Sequence, residues 1–333
     1  MRKKPDKVAH KSAHALDREY RVLQSIHIYN STLPLPQSQY QSSKSIPVPK
    51  PIAYCQNPSI IGAEFYIMEY IQGRIFIDPS LPGMTPPERM LAYRDAIRVL
   101  ANIHSIPYTQ PNINLETFGK TGDYVQRQIR RLSSVAQLQA QTIGVGPIQG
   151  IETITSELQA ACEHCPEHAS LIHGDYKMDN LIFHPVEPRV IGVLDWELST
   201  IGDPMCELAN LCMMYFMPGL KEGLGIAGLG GIELEGTGIP KRMELLTLYA
   251  HANTHSGMDV EEIMAWRGFY LAFLFFKNCV IVHGVKQRAS LGVASSSMAQ
   301  KVATLLPKMV DMTREIWDLE PPPVSTRLPS SNL

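Results

Sequence analysis

The feature that most limits how this chain can fold is a pair of short apolar runs, each leaving into a loop that carries acids. In "ASLIHGDYKMDNLIF" a polar loop, His173 to Asn180, separates apolar runs at 169–172 and 181–183. A second segment, "RVIGVLDWE", reaches Asp195, 20 residues beyond Asp175. Runs this short and rich in β-formers read as buried strands. A hairpin turn would account for Gly, Asp and Asn in the first loop. It would not account for a second acidic strand end.

The rest of the chain is patterned mostly as helix. "SAHALDREYRVLQSI", 12–26, sets Ala15, Leu16, Tyr20, Leu23 and Ile26 near helical spacing, with Glu19 off that stripe. A Pro- and Ser-rich connector at 33–51 is irregular. "EFYIMEY", 64–70, reads as a strand that leaves into a hinge near Gly73. "TPPERMLAYRDAIRVLANIHSI", 85–106, opens on Thr85 as N-cap with prolines in the first turn, and helices are also expected at 241–256, 259–288 and 296–317. Strands enclosed by helices in this order predict an α+β protein. The divisions are a first lobe at 1–70, a mainly helical second lobe at 71–318 and a disordered tail at 319–333.

Composition narrows the function classes. Lys+Arg 30 against Asp+Glu 32 gives a formal net charge of −2, so no basic field draws the chain to nucleic acid or an anionic membrane. Six cysteines, mostly within apolar stretches, read as reduced intracellular thiols. "MRKKPDKVAHK" carries no apolar h-region, and "GFYLAFLFF" at 268–276 is too short to span a bilayer. The expected location is the cytoplasm. The ending "SNL", a distant relative of the S-K-L address, gives a peroxisomal alternative.

The acids fit one chemistry. Phosphoryl transfer from a nucleotide needs a carboxylate that orients an attacking hydroxyl and accepts its proton, with an amide and a second carboxylate to hold Mg²⁺. His173, Asp175, Asn180 and Asp195 match the spacing H-R-D-x-x-x-x-N followed by D-F-G. "LIHGDYKMDNLIFHP", "VIGVLDWELSTIGDPMCELA" and "FYIMEYIQGR" resemble the catalytic loop, metal-binding segment and hinge of the aminoglycoside phosphotransferase and choline kinase-like family. "RKKP…AHALDREYRVL" and "DPSLPGMTPPER" are similar to the kinase-like domains associated with acyl-CoA dehydrogenases, a likeness running from about residue 2 to about 318.

The resemblance implies a bilobal protein-kinase-like fold that uses ATP and Mg²⁺. It implies Asp175 as catalytic carboxylate, His173 as brace of its loop, and Asn180 and Asp195 as metal ligands. Glu69 and Tyr70 would lie at an adenine hinge that binds through backbone groups. Glu19 would pair with Arg2 or Lys3, Asp203 would be a structural acid, and Glu197 would stand just behind the metal ligands. No strand pair or Gly-rich loop precedes Arg2, which predicts an N-terminally incomplete small lobe, from a truncated product or a degraded kinase. A pseudokinase or interaction module is the alternative that follows.

Other signals carry less. "GLGIAG", 223–228, follows no strand and reads as loop rather than phosphate cradle. "CEHC", 162–165, lacks the second pair of a structural zinc site. Only seven residues, Trp196 to Gly202, separate Asp195 from Asp203, and no A-P-E follows, which favours a small hydroxyl-bearing acceptor over a peptide. Its pocket would lie around Tyr215, Phe216 and "EIMAWRGFYLAF" with Arg267, although a Trp and Phe stripe at helical spacing is more often plain core. Without an acidic face for a polycation, analogy to the dehydrogenase-associated branch implies a hydroxyacid or hydroxyacyl-CoA acceptor and an acyl-CoA dehydrogenase as partner.

Overall fold

Backbone pairing begins at the second residue. In the computed structural model, which describes residues 1–4, 16–34, 44–219, 227–253, 257–293 and 299–323, β1 (Arg2–Lys3) lies antiparallel to β3 (Phe65–Met68). On the other side of β3 lies β2 (Pro51–Cys55), giving the order β1-β3-β2. α1 (Leu16–Thr32) covers this sheet with Val22, Leu23 and Ile26, and Tyr20 stacks on Tyr54 with ring centroids 5.4 Å apart. Within the described residues the helix begins at Leu16 and continues past the expected end at Ile26, because Tyr29 is buried too.

The second lobe is built on two small antiparallel ladders. β4 (Arg74–Ile75) pairs with β6 (Leu181–Phe183), which pairs with β7 (Val190–Val193), while β5 (Ser170–Ile172) pairs with β8 (Thr200–Gly202). Helices surround them: α2 (Pro86–His104), α3 (Tyr124–Ala140), α4 (Ile151–Cys162), α5 (Pro204–Cys212), α6 (Arg242–Ala252), α7 (Val260–Ser290), α8 (Ala299–Ala303) and α9 (Leu306–Leu319). α2 starts where the sequence predicts, since the backbone N–H and hydroxyl of Thr85 both donate to Glu88, at 2.7 and 2.8 Å, ahead of two prolines.

α7 is the central helix of this lobe. It is long and apolar enough to cross a bilayer, yet 78% of its most apolar window is buried within the fold. Trp266, Phe269 and Phe273 pack into the core, so the aromatic stripe is plain core, the reading its periodicity favours over an acceptor pocket. Arg267 pairs with Glu320 at 3.3 Å, and the Tyr215 hydroxyl donates to the Pro240 carbonyl at 2.6 Å. Glu320 also pairs with Arg242, so the ordered chain runs past the tail boundary placed at 319. The "SNL" ending and residues 223–226 of "GLGIAG" lie outside the described residues.

Candidate active site

β5 delivers the chain into the loop of His173 to Asn180, and the loop is fixed from beneath. The His173 imidazole is fully buried, and its Nε2–H donates to the Leu194 carbonyl at 2.8 Å. Because a carbonyl can only accept, Nδ1 is the free lone pair, and it takes the Asp175 backbone N–H at 3.2 Å. The ring also lies 4.7 Å from the Trp196 ring. Gly174 has φ +89°, and a Cβ there would overlap the Leu198 carbonyl oxygen. Only glycine meets both conditions.

A buried carboxylate holds the same loop from α5. Glu207 accepts the backbone N–H of His173 at 2.8 Å and that of Gly174 at 2.5 Å. His104 of α2 donates from Nε2 to Glu207 at 3.1 Å, and its Nδ1 accepts from the Tyr249 hydroxyl at 2.6 Å. Burial alone would raise the Glu207 carboxyl, but the hydrogen bonds it accepts from the His104 ring and the His173 backbone N–H outweigh it and hold the group below its ordinary range. α5 is itself capped by Asp203, which accepts from Met205 N–H at 2.9 Å and from the Tyr270 hydroxyl at 2.7 Å. Asp203 is therefore a structural acid, pushed up to about 6 by its burial.

The β6–β7 ladder brings the two motifs together. Leu181 faces Val193 across the first rung, and the Leu194 N–H donates to the Asn180 carbonyl at 2.9 Å. Asn180 Nδ2 donates to the Asp175 carbonyl at 2.8 Å and to its carboxylate at 3.2 Å. That commitment leaves the amide oxygen as the lone-pair donor for a cation. Asp195 follows with φ +67° and ψ +57°, a left-handed conformation that costs a non-glycine residue about 1–2 kcal/mol.

The first lobe closes the opposite wall. Arg2 Nη1 lies 2.9 Å from Glu19 and 2.7 Å from Asp195, and Nη2 lies 2.7 Å from Glu197. The undecided choice between Arg2 and Lys3 thus falls to Arg2, because strand alternation turns the two side chains to opposite faces of β1. Burial raises the Glu19 carboxyl to about 7 against the pull of Arg2 and Tyr66, and its Oε2 is buried without a hydrogen bond. A cleft of about 230 Å³ results, lined by Arg2, Glu19, Tyr66, Met68, Asn180 and Asp195.

The donor set fits a magnesium–nucleotide. Mg²⁺ is commonly held by one or two protein oxygens, with phosphate and water completing its shell. Asn180 and Asp195 offer that number, and among the described residues no group of three His, Cys, Asp or Glu side chains could hold a metal alone. Asp195 and Glu197 share one guanidinium, so even with Glu19 protonated the cleft keeps excess negative charge. A divalent cation would offset it.

Some expected residues stand aside and others were missed. The Glu69 carboxylate accepts the Lys50 N–H at 3.1 Å, and the Tyr70 side chain is 88% exposed, so neither side chain lines the cleft, whereas Met68 does. Lys177, which sequence reasoning passed over, places Nζ 3.3 Å from Asp175 and 3.4 Å from Asp179. Glu207 was missed as a brace. Its signal was a carboxylate amid the apolar run "PMCELANLC", a position that demands a buried partner.

Two lobes, a loop anchored by a buried histidine, and facing Asn and Asp at adjoining strand ends define the kinase-like phosphotransferases as a class. The chain belongs to the phosphotransferase enzyme family, whose family model matches residues 2–243. Among solved structures, a candidate aminoglycoside phosphotransferase from Ralstonia eutropha superposes with a TM-score of 0.76 at 35% identity, over 92% of this chain and 84% of that one. An ethanolamine kinase from Plasmodium vivax shares the fold at 11% identity, TM-score 0.55, over 90% and 73% of the two chains. Curated relatives include acyl-CoA dehydrogenase family member 10 of Mus musculus, 35% identical over 96% of this chain and 27% of that protein. Family member 11 of Homo sapiens is 36% identical over 89% and 34%. This chain spans about a third of the length of such relatives.

Proposed function

We propose that the protein is an ATP- and Mg²⁺-dependent O-phosphotransferase acting on a small hydroxyl-bearing molecule, a hydroxyacid or hydroxyacyl-CoA. The observation that carries this reading is the contact of Asn180 with Asp175 in a loop whose far end is tied to the strand leading to Asp195. Asp175 accepts the acceptor's proton as its oxygen bonds the γ-phosphorus and the bond to ADP breaks. Asn180 and Asp195 hold Mg²⁺, which when bound neutralises phosphate charge. His173 fixes the loop, Arg2 positions Asp195, and the backbone at 69–70 meets the base. Lys177 stays cationic: burial opposes its charge, but Asp175 and Asp179 outweigh that. The protein acts in the cytoplasm, with an acyl-CoA dehydrogenase as its partner, the latter by analogy to its relatives' names.

The test is thermal stability with and without ATP and Mg²⁺, on the wild type and Asp195→Ala. A ligand that binds only the native state raises the midpoint by mass action. The expected result is a Mg²⁺-dependent rise that Asp195→Ala abolishes, followed by ATP consumption with hydroxylated acceptors that Asp175→Asn eliminates. Absence of any rise would sink catalysis and leave an interaction module.

A further inference from the structure

A second cavity, of about 160 Å³, lies against the catalytic loop at Lys177, Met178 and Asp179. Its walls are largely apolar, with Ile77, Leu211, Met213, Met214 and Met217 among them. Asp179 lines both this cavity and the nucleotide cleft, so the two spaces adjoin. Lys177, also at its edge, reaches Asp175 at 3.3 Å, so the cavity opens beside the carboxylate proposed to take the acceptor's proton. Met213 is pinned, its sulfur accepting from the Asn278 amide at 3.2 Å; Met214 sulfur lies 3.7 Å from the Tyr93 hydroxyl, which donates to the Pro79 carbonyl at 2.6 Å. Among the described residues, the sulfur of the buried Met217 has no such partner.

We infer that this cavity receives the straight aliphatic arm of the acceptor and that Met217 sets the length it admits; the inference rests on the phosphotransferase reading. An apolar cavity of about 150 Å³ takes up benzene, so the space suits roughly six carbons. Methionine walls adapt to a flexible chain better than branched side chains do. The charged rim at Lys177 and Asp179 keeps the polar, hydroxyl-bearing end of the acceptor at the mouth, toward Asp175.

The cavity can be tested without nucleotide, by titrating the full chain carrying ¹³C-methyl methionine with straight 1-alkanols from propanol to decanol. Affinity should rise about fourfold per carbon, break near six carbons, and shift the methyl signals of Met213, Met214 and Met217. Met217→Ala should move the break two or three carbons longer. Ile77→Trp, at an exposed lip where folding is not at risk, should move it shorter. An unbroken rise to decanol, or a break that neither variant moves, overturns the proposal. The same displacement of the optimum is expected in kcat/KM for a series of 2-hydroxyalkanoates with ATP; an optimum fixed in both variants would likewise overturn it. Loss of the Mg²⁺·ATP midpoint rise with an intact alkanol profile would instead fault the phosphotransferase reading.

Discussion

Gly174 and Glu19 show how little room single positions leave. Gly174→Ala combines a left-handed φ with overlap on the Leu198 carbonyl. A loss of about 2 kcal/mol or more is expected in urea unfolding, with activity falling further because Asp175 is the next residue. Glu19 predicts a pH dependence with a definite sign. Its folded value, about 7, lies above its ordinary 4.5. Between those values the unfolded chain has lost the proton that the folded one keeps, so this group's contribution to stability falls as pH rises through the interval. The ceiling is about 3 kcal/mol. Glu19→Gln should flatten the stability profile between pH 5 and 7.5; an unchanged slope would refute the assignment.

Among the elements, α5 matters most to the site, because it is capped at one end by Asp203 and reaches the catalytic loop through Glu207. Glu207→Ala strands two buried loop N–H groups and the His104 ring. It should cost about 3 kcal/mol or more and lower kcat more than KM, since the loop carrying Asp175 loosens while the nucleotide wall stays. The sequence conveyed the parts of this arrangement that are local. The strand ends at Ile172 and Val193, the Thr85 cap and the long apolar helix follow from short-range pattern and turn chemistry. It did not convey partners chosen by tertiary packing. Glu207 meets residues 34 and 33 positions earlier, and Arg2 reaches across 193 positions to Asp195. The aromatic stripe of α7 is the core its periodicity favours, since periodicity marks a buried face and here other helices cover it.

Across the whole molecule, the end of the described chain is fastened to the start of α6 and to the first third of its longest helix. Glu320 meets Arg242 and Arg267, and its backbone lies so close to Gly268 that a Cβ would overlap its carbonyl. Glu320→Ala should cost about 1–2 kcal/mol and Gly268→Ala more, both read as lowered urea midpoints without loss of nucleotide binding. A different consequence follows from the β6–β7 hairpin. Asn180 and Asp195 are neighbours because Leu181 faces Val193, while the connection between the two strands turns in solvent, with Val186 76% exposed. Residues added or deleted at that tip would change the interval between the motifs and leave their meeting intact. The interval from Asp175 to Asp195 is thus free to drift over evolutionary time, and relatives that share this cleft should be recognised by the rung rather than by the count.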